Sequence, residues 1–226
     1  MNIRTKYAVT VLALGAALAA SGGASAQAAG DWTVKVGINR ITPKVKSGDI
    51  SAPALPGTKA AVGADTQPTL SITRMLTDNF SAELDLGTPY KHKLYGAGAL
   101  EGTGQLGTSQ VLPPTLFAQY RFFQPDAMVR PYVGLGLTYA YFRRETGSGQ
   151  LTAVLNTGGA PATFSLDNQW AASFQLGGTV AINQRWYADL VLVKTKLKTT
   201  AHYSTRQTND IALDPLAVSI GIGYRF

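Results

Sequence analysis

Apolar and polar residues alternate in eight stretches of this chain, a period that sends successive side chains of an extended strand to opposite faces. The first stretch sets Trp32, Val34, Val36 and Ile38 against Thr33, Lys35, Gly37 and Asn39. A weaker second carries Leu70 and Ile72 against Thr69, Ser71 and Thr73, and the third opposes Phe80, Ala82, Leu84 and Leu86 to Ser81, Glu83, Asp85 and Gly87. In the fourth, Leu116, Ala118, Tyr120 and Phe122 alternate with Thr115, Gln119 and Arg121, and Phe117 interrupts the polar face. The fifth runs Val133, Leu135, Leu137, Tyr139 and Tyr141 over Tyr132, Gly134, Gly136, Thr138 and Ala140. The sixth carries Trp170, Ala172, Phe174, Leu176, Val180 and Ile182 over Gln169, Ser173, Gln175, Gly177 and Thr179. The seventh has Trp186, Ala188, Leu190 and Leu192 on one side, with Val191 and Val193 joining Asp189 on the other. The eighth sets Leu216, Val218, Ile220, Ile222, Tyr224 and Phe226 over Ala217, Ser219, Gly221, Gly223 and Arg225.

The connections alternate in length. Thr77-Asp78-Asn79, residues 124–128 and Asn183-Gln184-Arg185 are short and rich in turn formers. Long links fall at about 44–65, 93–110, 145–166 and 199–210. Three short turns on one side and four long loops on the other is the asymmetry of outer-membrane barrels, whose long loops face outside. The pattern predicts an all-β fold, an eight-stranded antiparallel transmembrane β-barrel over residues 27–226.

Composition separates this reading from a soluble sandwich or lipocalin-like barrel, which would show the same alternation with its apolar face inward. Hydrophobic residues make up 45% and charged residues 15% of the chain, yet no later run is long enough for a spanning helix. Within lipid only helices and closed barrels satisfy the backbone, so dispersed hydrophobicity points to a barrel. The apolar face carries Trp32, Trp170, Trp186 and Tyr224 near strand ends, as an interfacial girdle does. The opposite face holds Lys35, Glu83, Asp85, Arg121, Asp189 and Arg225, poor material for a dry core.

Arg4 and Lys6, the apolar run 8–20 and Ala24-Ser25-Ala26 read as a signal peptide cut before Gln27, with a second possible cut after Ala28. Without that segment the basic count falls from 20 to 18 against 13 acidic residues, so the net charge drops from +7 to +5. An exported chain with a scattered surplus of this size meets no nucleic acid, and its anionic neighbour is lipopolysaccharide. With no cysteine and only His92 and His202, no metal site or cofactor is expected. Phe226 at the terminus, with Tyr224 in the same stripe, looks like the signal read by the barrel-assembly machinery. Oligomeric state is not legible.

Several stretches follow one another in a fixed order: Thr77-Asp78-Asn79, Thr88-Pro89-Tyr90-Lys91-His92, Leu112-Pro113-Pro114-Thr115-Leu116, Arg130-Pro131-Tyr132-Val133-Gly134, Asn183-Gln184-Arg185-Trp186, Asp214-Pro215 and Gly223-Tyr224-Arg225-Phe226. Together they resemble the outer membrane protein W family. The resemblance implies an eight-stranded barrel and a role in uptake of small hydrophobic molecules. It also implies an interior constriction of bulky apolar side chains on the third and seventh strands. The corresponding positions here are Asp85, which departs from that pattern, and the smaller Val193.

So narrow a barrel can be filled by side chains. Lys35, Arg121 and Arg225 can pair with Glu83, Asp85 and Asp189 as an interior polar plug, which argues against a broad water-filled pore. Leu55, Asp85, Pro89, Tyr90, Val191 and Val193 are expected to line the solute's passage. Pro68, opening the second strand, with Pro89, Pro113 and Pro114 removes ladder donors and marks a seam for sideways exit into lipid. The alternative is that these prolines simply end strands. Lys194, Lys196 and Lys198 share a face that can meet lipopolysaccharide phosphates or simply be solvated. Two rival functions remain open: a structural or adhesive barrel without transport, and a lipid A-modifying enzyme using His202-Tyr203-Ser204 with Asp210 or Asp214. A non-enzymatic barrel is the expectation.

Overall fold

The structure, a computed structural model, describes residues 27–54 and 56–226; the expected signal segment and Leu55 lie outside the described residues. The chain runs through β1 (Trp32–Thr42), β2 (Lys46–Ser47), β3 (Thr58–Val62), β4 (Asp65–Met75), β5 (Phe80–Gly87), β6 (Tyr90–Gly98), β7 (Gln105–Leu112) and β8 (Thr115–Arg121). It continues with β9 (Val129–Gly147), helix α1 (Gly149–Leu155), β10 (Phe164–Leu166), β11 (Gln169–Ala181), β12 (Trp186–Lys196), β13 (Lys198–Tyr203), β14 (Thr208–Ala212) and β15 (Leu216–Arg225).

Strands β1, β4, β5, β8, β9, β11, β12 and β15 pair in that order, each antiparallel to the next, and β15 returns to β1 to close an eight-stranded barrel. Closure leaves no sheet edge in the lipid, where an unpaired backbone group has no water to bond. The short turns sit at one end. Leu76 and Thr77 both donate to the Phe80 carbonyl, and Ile182 and Asn183 both donate to that of Trp186.

The apolar stripes face outward. Leu135 is 70% exposed, and Val36, Ile38, Leu116, Leu190 and Ile220 are exposed with it. The inward positions are buried and mostly polar: Lys35, Glu83, Gln119, Arg121, Gln175 and Asp189. A soluble barrel has the opposite polarity. Aromatic residues collect at both ends of the apolar band. Trp186 packs edge-on to Tyr224 at 4.9 Å and Tyr224 to Phe226 at 5.1 Å at the lower end, and Tyr139 packs on Trp170 at 4.8 Å at the upper. Inward aromatics are accommodated by glycine directly across the ladder: Phe117 faces Gly136, Tyr132 faces Gly177 and Tyr187 faces Gly223.

The long links differ from expectation. They are largely ordered: β6 and β7 form a hairpin above β5 and β8, β3 pairs with β6, and β10, β13, β14 and β2 make a second sheet. Helix α1 starts at Ser148, whose Oγ accepts from the Leu151 amide. Their strand pattern is short and interrupted by glycine and proline, so tertiary packing stabilises it. Ile50, Leu94, Leu100, Leu106, Leu151, Ala162 and Phe164 form a core inside this extracellular extension.

Above the lipid the polarity inverts, and β12 shows where. Its outward residues pass from Leu190 and Leu192 to Lys194 and Lys196, and its inward ones from Asp189 to Val191 and Val193, leading to Leu197 just beyond the strand. The wall is apolar outside where it meets acyl chains and apolar inside where it meets water.

Candidate functional site

The barrel interior is closed at mid-height by a hydrogen-bonded polar cluster. Lys35 Nζ on β1 lies 2.8 Å from Asp189 on β12 and 3.5 Å from Glu83 on β5. Tyr132 donates to the second Asp189 oxygen at 2.8 Å. Glu83 also accepts from Thr73, Gln119 and Gln175 at 2.9, 2.8 and 3.0 Å. Arg121 is held by Ser81, Gln119 and Gln27 and lies 4.7 Å over the Tyr132 ring. Charges withdrawn from water need such satisfaction, and the barrel supplies it from seven of its eight strands.

Above the cluster is a cavity of about 130 Å³. Lys35, Asp85, Ser71, Thr115, Thr138 and Thr195 border it below; Ile41, Tyr90, Leu94, Phe142, Leu197 and Leu213 are among its apolar walls. The division follows from the inversion of polarity: the floor is in the membrane level and the walls in the extracellular extension. His92 on β6 reaches the cavity, with Nδ1 donating to the Gly63 carbonyl at 2.7 Å. Burial holds this imidazole below the ordinary histidine range, outweighing the opposite pull of that hydrogen bond and of Asp65.

Beside the cavity the wall is incomplete. The β5–β8 ladder ends at Asp85 opposite Thr115, and the β6–β7 ladder resumes at Tyr90 opposite Val111. From one pair to the next the chain advances five residues on one side (85 to 90) and four on the other (115 to 111). Among the described residues no backbone hydrogen bond spans the gap between 86–89 and 112–114. Pro89, Pro113 and Pro114 have no N–H to offer there. Outer neighbours stay attached: Thr88 donates to the Pro68 carbonyl on β4, and Tyr139 on β9 to that of Pro114. Leu86, 37% exposed on the outer surface, also borders the cavity, as do Gly87 and Pro113. The gap and the cavity are contiguous.

Of the residues expected along a passage, Asp85, Tyr90, Val191 and Val193 border this cavity, Pro89 lies in the gap, and Leu55 is outside the described residues. Pro68 requires correction. It lies inside β4, which begins at Asp65, paired with Ile38 of β1 and separated from the gap by β5. Arg225 also requires correction: as the last residue of β15 it sits at the periplasmic rim, 3.6 Å from Asp31. Sequence reasoning missed the hydroxyl belt Thr115, Thr138, Ser173 and Thr195, whose members are linked by contacts of 2.8, 2.6 and 2.8 Å. Only the register across β8, β9, β11 and β12 reveals it.

At the outer surface, Lys194 donates to the Asp214 carbonyl and Lys196 lies 3.4 Å from its carboxylate, with Lys198 exposed. His202 pairs at 3.1 Å with Asp167, whereas Asp210 accepts from Thr200, and Ser204 Oγ accepts from the Thr163 amide.

A closed eight-stranded wall, apolar outward, girdled by aromatics and polar within, defines an outer-membrane β-barrel. The profile of the OmpW family matches residues 28–226, and the chain belongs to that family. It is 34% identical to outer membrane protein W of Salmonella typhi over 98% of this chain and 99% of that one. The crystal structure of OprG from Pseudomonas aeruginosa superposes with a TM-score of 0.80 at 29% identity, covering 90% of this chain and 99% of that one. Outer membrane protein W of Escherichia coli, solved by NMR, gives 0.57 at 29% identity over 88% and 100%. The protein resides in the Gram-negative outer membrane.

Proposed function

We propose that the barrel passes small hydrophobic molecules from the extracellular side into the outer membrane through the gap in its wall. One observation carries this reading: the apolar-walled cavity touches the stretch where β5–β6 and β7–β8 are not joined, at Leu86, Gly87 and Pro113. The charged cluster supports it from below. A solute leaving straight through the barrel would have to break the Lys35–Asp189 and Lys35–Glu83 contacts and desolvate itself among buried charges. Sideways exit meets only side chains and acyl chains. The lysines above the apolar band, Lys194, Lys196 and Lys198, are suited to lipopolysaccharide phosphates. Tyr224 and Phe226 are the assembly signal of this reading.

The chain has no cysteine, so a cysteine pair at Pro89 and Pro114 is an unambiguous probe. In proteoliposomes taking up an apolar dye, oxidation of the pair should slow entry to the rate of protein-free liposomes, and reduction should restore it. Unchanged uptake with the link formed would refute exit through the gap. Equal uptake by liposomes with and without the wild-type barrel would favour a structural or adhesive role instead.

A further inference from the structure

The cavity presents more free acceptors than free donors; the Tyr90 hydroxyl, which accepts from Asn39, and the unpartnered Ser109 hydroxyl are its uncommitted donors. Asp85 Oδ1, Asn39 Oδ1 and Ser109 Oγ are buried, border the cavity, and have no hydrogen-bond partner. Asn39 spends its amide on the Tyr90 hydroxyl at 2.9 Å. The hydroxyl belt is directional, because Thr115 donates to the Pro113 carbonyl at 3.2 Å. It must therefore accept from Thr138, which accepts from Ser173, which accepts from Thr195. Each of these protons is committed, and only lone pairs remain to face a solute. With Nδ1 of His92 donating to Gly63 and the ring held neutral by burial, Nε2 is one more acceptor.

Charge points the same way. The interior acids Glu83, Asp85 and Asp189 are matched in number by Lys35, Arg121 and Arg130, but of these six only Asp85 and Lys35 border the cavity. Lys35 contacts Glu83 and Asp189, whereas Asp85 has no ion pair within 4 Å among the described residues. Register places Asp85 between Ser71 and Thr115, at the foot of the gap.

We propose that the cavity selects amphiphiles whose polar head is a hydrogen-bond donor, a primary ammonium above all and a hydroxyl next, with the head on Asp85 and the hydrocarbon tail among the upper apolar walls. The proposal rests on the passage reading and narrows its substrate class. Asp85 takes the head's proton-bearing nitrogen or oxygen, and Asn39 Oδ1 is a second acceptor above it. A carboxylate head would face lone pairs and the Asp85 carboxylate, and a plain alkane would leave the acceptors unpaired. Head-group choice therefore resides in Asp85, whose Oδ1 is left without a partner at the cavity.

The test is retention of labelled octylammonium, octanol, octane and octanoate by nanodiscs carrying the full barrel, relative to empty nanodiscs of the same lipid. Octylammonium should be retained most, then octanol, then octane, with octanoate at the empty-disc level. Asp85→Asn keeps shape and an acceptor but removes the charge. It should lower octylammonium retention by about tenfold and leave octanol unchanged. Asp85→Leu should reverse the order in favour of octane, and Asn39→Leu, a milder change, should weaken octanol. Heat-dependent gel mobility verifies that each variant is folded. Octane or octanoate retained as well as octylammonium by the wild type, or no loss in Asp85→Asn, overturns the proposal. If octane still crosses and the Pro89–Pro114 link stops it, only the head-group claim falls. Retention of no probe by a folded barrel overturns the passage reading as well.

Discussion

Replacing Lys35 with methionine tests whether the polar cluster is a structural plug. Its ammonium is the only lysine nitrogen within 4 Å of Glu83 or Asp189 among the described residues, at 3.5 and 2.8 Å. At an effective dielectric near 20 those contacts correspond to attractions of about 5 and about 6 kcal/mol. Most of that is offset by the cost of taking three charges out of water, so the pair itself is not a large net gain. Removing one partner is different, because the carboxylates stay buried; the usual cost is about 3–5 kcal/mol. Here the remaining donors soften it. Asp189 keeps Tyr132, and Glu83 keeps Thr73, Gln119 and Gln175. The expected loss for Lys35→Met is therefore at the lower end, about 3 kcal/mol. Adding Asp189→Asn should recover part of it, a coupling of about 1–3 kcal/mol. Urea titration in lipid vesicles, followed through Trp32, Trp170 and Trp186 at the ends of the apolar band, measures both. A loss below about 1 kcal/mol, or effects of the two substitutions that simply add, would refute the plug.

Gly177→Ala should destabilise the barrel by about 1–3 kcal/mol, since the new methyl would lie 2.4 Å from the Tyr132 ring, whose hydroxyl is tied to Asp189; the same titration reads it. His92 binds fewer protons in the folded protein than in the unfolded chain just below its ordinary range, so the stability it contributes is complete above about pH 6.5 and is lost as pH falls through its lowered value. Proteolysis of the β6–β7 hairpin should accelerate between pH 7 and pH 5 in the wild type, and His92→Phe should flatten the profile. Deleting Phe226 should reduce the amount of heat-modifiable barrel recovered from outer membranes while the purified protein still folds in detergent; unchanged recovery would remove its role as an assembly signal.

The barrel was legible because lipid acts on single residues. Each outward position of β5 or β15 meets acyl chains whatever its neighbours do, so the demand for an apolar side chain is written at every second residue. Glu83 and Asp189 were recognisable as interior for the same reason, since a charge cannot sit on the lipid face. Above the membrane that rule lapses. In β6 the apolar face turns inward, with Tyr90 and Leu94 buried and Lys91 and Lys93 exposed, so the strands of the extension looked like loops. Their order comes from Leu94, Leu106, Leu151 and Phe164 meeting across segments far apart in the chain.

Site geometry belongs to tertiary structure still more. The prolines at 89, 113 and 114 mark missing donors in the sequence, but Pro68 looks the same there. Only strand order puts three of them in facing links, between β5 and β6 and between β7 and β8, and the fourth beyond β5. Arg225 alternates inward like Lys35, yet the stagger of the closed sheet sets it at the rim beside Asp31. Alternation along a strand tells which face a side chain takes; height and partner follow from how neighbouring strands are shifted against one another. That shift decided that Lys35 meets Glu83 and Asp189 while Asp85 faces the cavity without a counter-charge.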